Sequence, residues 1–158
     1  MSVINIFTDG SSRGNPGPGG YGVILKFGDK VKEVSEGYRR TTNNRMELMA
    51  VCVALENLNT DKYPVVVHSD SKYVIDAITQ KWIWGWQKKQ FKGKKNKDLW
   101  LRYLTLHSKF KLSYVWVKGH AGHLENERCD ELAYKAATNN PTKIDEVFES
   151  DEKEDSLF

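Results

Sequence analysis

The chain has 158 residues and a mass of 18.2 kDa, enough for one domain that buries about 70% of its extended surface. With 39% hydrophobic and 28% charged residues it reads as a soluble globular protein. No segment approaches the roughly 20 apolar residues of a membrane span, and the N-terminus lacks the basic start and apolar run of a secretory signal. The net charge of +3 hides an asymmetry: after Asn140 two lysines face seven acids, which is −5, so residues 1–140 carry +8 and point to a polyanionic partner.

The first apolar run, Val3 to Thr8, predicts a strand with a buried face. It runs into a glycine-rich turn, Asp9 to Gly20, read as DGSSRGNPGPGG. Asp9 therefore falls where a strand ends, a poor place for a core residue and a good one for a metal ligand. Residues 20–28 and 31–39 predict two further strands joined by a tight turn at Gly28-Asp29, completing an antiparallel meander. Thr41 to Asn44 offer N-caps for a helix over 44–58, with Leu48, Val51, Cys52, Leu55 and Leu58 at helical spacing. Cys52 and Cys129 form no disulfide framework and no paired zinc motif, which fits a reducing, cytoplasmic setting.

Pro64 opens Val65-Val66-Val67, too apolar for an exposed strand and read as a buried parallel one that ends at Ser69-Asp70. Ser71 caps a helix with Tyr73, Val74, Ala77 and Ile78 inward. From Lys81 to Lys97 come seven lysines and no acid, interleaved with Trp82, Trp84, Trp86 and Phe91. A helix resumes near Asp98 and runs to about Lys109. Leu112 to Lys118 reads as the last strand. A loop, Gly119 to His123, leads to a final helix from about Glu125 to Thr138. From Pro141 the chain turns acidic and aperiodic, and reads as a flexible tail over 141–158. The order predicts an α/β domain over residues 1–140, a five-stranded mixed sheet flanked by helices.

Four acids stand at telling places. Asp9 and Asp70 follow strands, and open α/β sheets bind ligands at such strand ends. Glu47 and Asp130 lie in the first turns of helices, where anionic side chains are tolerated. Any one of them alone could be a surface charge or a cap. Together they would repel unless cations neutralise them, and oxygen-only ligands suit Mg²⁺ or Mn²⁺. Such a site can orient a phosphodiester and activate water.

Four motifs now resemble a known family: Asp9-Gly10-Ser11, Thr42 through Leu48 (TNNRMEL), Ser69-Asp70-Ser71, and Lys118 through His123 with Asn126 through Ala133. In order and spacing they resemble ribonuclease H type 1, most closely its bacterial ribonuclease HI form. The resemblance covers about residues 3–140. It implies a ribonuclease H-like fold and an endonuclease that cuts the RNA strand of RNA–DNA hybrids. It also implies 5′-phosphate and 3′-hydroxyl ends and two Mg²⁺ ions, with Mn²⁺ an alternative. Matched by motif, Asp9, Glu47, Asp70 and Asp130 would bind metal, and His120 would assist proton movement or product departure.

Substrate contacts implied in the same way are Gly10, Ser11, Arg13, Gly14 and Asn15 on the turn, then Thr42, Asn43, Asn44 and Gln80. Thr42 resembles the residue that helps hold a DNA-strand phosphate, and the others would read 2′-hydroxyls or bases. Asn43 and Asn44 could instead serve as helix caps. The Lys81–Lys97 segment resembles the family's basic protrusion. Lys88, Lys89, Lys92, Lys94 and Lys95 would grip the DNA strand, with Trp82 stacking on its sugars. The other reading of the tryptophans is core packing.

The expected partner is the hybrid duplex, with no membrane, a monomeric state and a place in DNA replication. The start at Met1 favours a free protein over a polyprotein piece. Phe148, Leu157 and Phe158 could dock the tail or hold a protein partner. A hybrid-binding protein that does not cut, and a DNA-cutting nuclease on the same scaffold, are the alternatives. The four acids argue against the first. The lysine segment and the GHAGH loop argue against the second.

Overall fold

The computed structural model describes residues 2–119 and 122–156. Ile4–Ser12 (β1), Gly17–Phe27 (β2) and Lys30–Thr41 (β3) form the antiparallel meander. Asn43–Glu56 (α1) then crosses to Val65–Ser69 (β4), which pairs parallel to β1. Lys72–Thr79 (α2), Trp82–Lys88 (α3) and Lys97–His107 (α4) follow, and Leu112–Trp116 (β5) pairs parallel to β4. Leu124–Thr138 (α5) and Glu146–Asp155 (α6) close the described chain. The strand order is β3-β2-β1-β4-β5, the mixed five-stranded sheet that the element order predicts.

The pleat sorts the core into two faces. Ile6 pairs with Leu25, and both join Ile4, Val23, Val65 and Val67 beneath α1. Phe7 pairs with Ile24, and both turn to Cys129 and Leu132 on α5. Ile6, Val23, Val65 and Val67 are fully buried, which contributes about 1.5–3 kcal/mol per side chain. α1 is wedged between the sheet and α4. It buries every residue from Arg45 to Cys52, so it lacks the polar face of a surface helix. On the other face α5 sits close enough that a Cβ on Gly22 would run into the Cys129 carbonyl. Trp100 and Tyr103 of α4, Ile83 of α3 and Phe91 complete the larger core.

Two expectations are corrected. Asp9 does not follow a strand but lies inside one. β1 continues to Ser12 because Gly19 and Gly20 stay extended opposite Ser12 and Ser11, and Asp9 itself faces Gly22. The segment after Asn140, expected as a flexible tail, carries α6. Asp145 caps it, accepting from the Phe148 N–H at 3.5 Å, and Glu149 and Glu152 clasp Arg39 and Arg40 on β3. Phe148 is half-buried, while Leu157 and Phe158 lie outside the described residues.

A buried cation ties these parts together. Arg45, at the start of α1, is 3% exposed. It donates to both oxygens of Asp98 on α4, at 2.9 and 2.7 Å, and to both oxygens of Asp145, at 2.7 and 3.0 Å. Asp145 also accepts from the Thr41 hydroxyl at 2.7 Å. One guanidinium thus fixes the N-terminal ends of three helices. Among the described residues, no helix is long and apolar enough to cross a membrane.

Candidate active site

Strand pairing sets two of the acids level. Phe7 pairs with His68 in the parallel β1–β4 ladder, and Asp9 and Asp70 each lie two residues further on. Glu47 arrives from α1, which lies close across β1 at Gly10. A Cβ there would overlap the Glu47 amide and stand 2.5 Å from the Met46 carbonyl carbon, so only glycine permits this approach. The outcome is a group in which one carboxylate oxygen from each of Asp9, Glu47 and Asp70 lies within 4.8 Å of the others.

Hydrogen bonds fix the Asp9 carboxylate and the backbone around Asp70. The Gly10 N–H donates to Asp9 Oδ1 at 2.9 Å. The Trp116 indole donates to the Asp70 carbonyl at 3.1 Å. Ser69 Oγ accepts from the Ser71 N–H at 3.1 Å, and Ser71 Oγ accepts from the Val74 N–H at 3.3 Å as the cap of α2. Asp9 and Glu47 are buried, at 3% and 6% exposure. Burial first, and then the charges of Asp9 and Asp70, hold the Glu47 carboxyl well above the usual range. Two ionised carboxylates 4.8 Å apart repel by roughly 3.5 kcal/mol at an effective dielectric of about 20.

A hard divalent cation fits this group. Its ligand atoms are all carboxylate oxygens, and Glu47 Oε1 is buried with no hydrogen-bond partner among the described residues. Asp130 is not one of the three. It is exposed in the second turn of α5, the helix that covers the opposite face of β1. Its neighbour Cys129 donates its thiol to the Phe7 carbonyl at 3.2 Å, which fixes that turn of α5 against β1. His120 lies outside the described residues.

The expected substrate contacts fall on the segment from Gly10 to Asn15, at the head of α1 and just after α2. Asn15 Oδ1 accepts from the Asn43 N–H at 3.1 Å, joining the glycine-rich turn to the head of α1. Thr42 is the cap of α1, accepting from the Arg45 N–H at 3.2 Å, while Asn44 is exposed. Arg13 stacks its guanidinium over Tyr134, 4.8 Å from the ring centre. Gly10 is buried, Ser11 half-buried, and Gly14 and Gln80 exposed.

In the basic segment Lys88, Lys89, Lys92, Lys94 and Lys95 are all exposed. Gln90 and Phe91 take left-handed backbone, and Phe91 is 4% exposed, pinning the loop to the core. Trp84 and Trp86 pack on the core, but Trp82 is 49% exposed. A cleft of about 350 Å³ runs past Asn44, Tyr73, Trp82, Trp86, Lys94 and Lys95. Sequence reasoning missed Arg45, Asp98 and Asp145. Their partners lie 53 and 100 residues from Arg45, and no local pattern announces them.

With this geometry in hand, the relatives can be compared. The RNase H family model matches residues 1–138. A ribonuclease H of Edwardsiella ictaluri (strain 93-146) is 54% identical over 153 residues, covering 94% of this chain and 97% of its own. LC9-RNase H1, a type 1 RNase H, superposes with a TM-score of 0.77 at 30% identity, covering 89% of this chain and 74% of its own. LC11-RNase H1, solved in complex with an RNA/DNA hybrid, gives a TM-score of 0.66 at 27% identity, covering 86% of this chain and 97% of its own. A match over nearly the whole length, with more than half of the residues shared, leads to one conclusion: the chain belongs to the RNase H family of nucleases.

Proposed function

We propose that this protein hydrolyses the RNA strand of RNA–DNA hybrids, leaving 5′-phosphate and 3′-hydroxyl ends, with two Mg²⁺ or Mn²⁺ ions as cofactor. The observation that carries this reading is the group of Asp9, Glu47 and Asp70, in which one carboxylate oxygen of each lies within 4.8 Å of the others. Bound there, divalent ions would activate the attacking water and stabilise the departing 3′-oxygen. In this reading Asp130 is a fourth ligand on the attack side, and His120 moves a proton or releases product.

The remaining roles belong to the chain's own groups. Asp9, Glu47 and Asp70 hold the cations and fix where the scissile phosphate must lie. The backbone from Gly10 to Asn15, with Asn43, Asn44 and Gln80, reads 2′-hydroxyls, the feature that separates RNA from DNA. Thr42 and the exposed lysines at 88, 89, 92, 94 and 95 hold the DNA strand by its phosphates, and half-exposed Trp82 stacks on it. Binding of this kind reads shape and charge and ignores base sequence.

The test compares a labelled hybrid with RNA–RNA and DNA–DNA duplexes of the same sequence, with and without Mg²⁺, and maps the product ends. Cleavage of only the hybrid's RNA strand, dependent on metal and leaving 5′-phosphates, is the expected result. Cleavage of the DNA duplex, or 3′-phosphate ends, would overturn the reading.

A further inference from the structure

The C-terminal helix carries charges that the proposed function does not use. α6 has six acids, Glu146, Glu149, Asp151, Glu152, Glu154 and Asp155, against one lysine, Lys153. Two of them are engaged on β3. Glu149 takes both arms of Arg39 at 2.9 and 2.8 Å, and Glu152 takes both arms of Arg40 at 2.8 and 2.7 Å. Asp151, Glu154 and Asp155 make no ion pair with any described residue and are exposed. These three acids line a groove of about 900 Å³, and the same groove is lined by Asn15, Thr42, Asn44 and the lysines at 94, 95 and 97.

One groove thus holds the groups suited to a nucleic-acid backbone and a row of acids that repels it. We propose that α6 is a built-in electrostatic competitor of the polyanion. It masks Arg39 and Arg40, and it narrows with negative charge the groove beside Lys94 and Lys95. The nature of the polyanion, an RNA–DNA hybrid, rests on the function proposed above.

The helix is built for that role rather than for the core. None of its residues is buried. Its anchors are the buried cap Asp145, held by Arg45, and the two exposed arginine pairs. Exposed pairs are weak and screened by salt, and a phosphate can replace a carboxylate on an arginine. A polyanion entering the groove therefore meets repulsion from Asp151, Glu154 and Asp155, and the two arginine pairs that hold α6 beside the groove are ones that a phosphate could replace.

Binding is measured by fluorescence anisotropy, without metal, on the full chain carrying Asp70→Asn so that substrate is not consumed. The double change Asp151→Asn, Asp155→Asn is compared with Asp29→Asn, Asp61→Asn. The control removes the same charge from exposed positions in the β2–β3 turn and the α1–β4 loop, at the far end of the sheet. A third variant, Glu149→Gln, Glu152→Gln, unmasks Arg39 and Arg40. Circular dichroism verifies that the helix content is kept. The groove variant is expected to tighten hybrid binding about three- to tenfold over the control at 50 mM salt, with the gap closing by about 0.5 M. The unmasked variant should tighten binding and steepen its salt dependence. Equal affinities for groove variant and control overturn the proposal and leave the hybrid reading intact. A matched DNA duplex is measured in parallel. If the hybrid is not preferred to it, the hybrid reading fails, and the same comparison on the duplex decides the role of α6. If no variant binds either duplex, both are overturned.

Discussion

Replacing Arg45 with alanine removes the cation shared by Asp98 and Asp145. The two acids fare differently afterwards. Asp98, 29% exposed, can hydrate. The Asp145 side chain is 4% exposed and keeps, among the described residues, the Thr41 hydroxyl and the Phe148 N–H as donors. Deleting one partner of a buried pair costs about 3–5 kcal/mol. In a domain of this size each kcal/mol lowers Tm by roughly 2–4 °C, so Arg45→Ala should melt roughly 6–20 °C below the native protein. Asp145→Ala should cost less, since Arg45 keeps both bonds to Asp98. The double change Arg45→Met, Asp145→Leu buries no unpaired charge and should recover part of the loss. Scanning calorimetry of the four proteins gives the order directly. An Arg45→Ala protein that melts within about 2 °C of the native one would refute the reasoning, because the network would then hold nothing together.

Three further outcomes are expected. Asp9→Asn should cut hybrid cleavage at least ~100-fold in single-turnover assays. Without metal it should raise stability by at most roughly 3.5 kcal/mol per repulsion removed, and it should lose the rise in Tm that Mg²⁺ gives the native protein. Unchanged Tm values with and without Mg²⁺ in both proteins would contradict the metal site. Lys94→Ala with Lys95→Ala should weaken hybrid binding and lower the slope of log affinity against log salt by about 1.8, two phosphate contacts at about 0.9 each; an unchanged slope would remove these lysines from the interface. Acid stability should depend on Asp98. Burial alone would raise its pKa, but the hydrogen bonds and charge of Arg45 outweigh that and hold it below the usual aspartate range. A depressed acid stabilises the fold above its unfolded pKa and loses that contribution as pH falls through the folded value. Acidification below about pH 4 should therefore lower Tm, and Asp98→Asn should show a lower neutral Tm with a flatter acid limb, as thermal melts across pH would reveal.

Most of the fold is legible in local pattern. Val65-Val66-Val67 announces a buried strand, and the polar residues Thr42 and Ser71 announce the helix starts that they do cap. The positions of Asp9, Glu47 and Asp70 could be read as well, because Asp9 closes the apolar run of β1, Glu47 stands near the start of α1 and Asp70 directly follows β4. The end of β1 lies beyond Asp9, at Ser12, for a physical reason. Gly-Ser-Ser looks like a turn until the glycines of β2 supply an extended partner for it. α6 was not legible. It has no apolar stripe, and it is held by Arg39, Arg40 and Arg45, about 100 residues upstream, so its stability is tertiary rather than local. Asp130 rests on its motif alone: it is exposed on α5 and is not one of the three acids whose oxygens lie within 4.8 Å of one another, so its part as a fourth ligand belongs to the proposed function.

The central claim is that three clustered carboxylates, Asp9, Glu47 and Asp70, do the chemistry on a hybrid, and cleavage by Asp70→Asn tests it most directly. The native protein and the variant are given the same labelled hybrid over a series of Mg²⁺ concentrations, with circular dichroism to verify the fold. The account predicts metal-dependent cutting of the RNA strand by the native protein, and a folded variant that binds the hybrid and leaves it whole at every Mg²⁺ concentration. A folded Asp70→Asn protein that cuts at the native rate would contradict it.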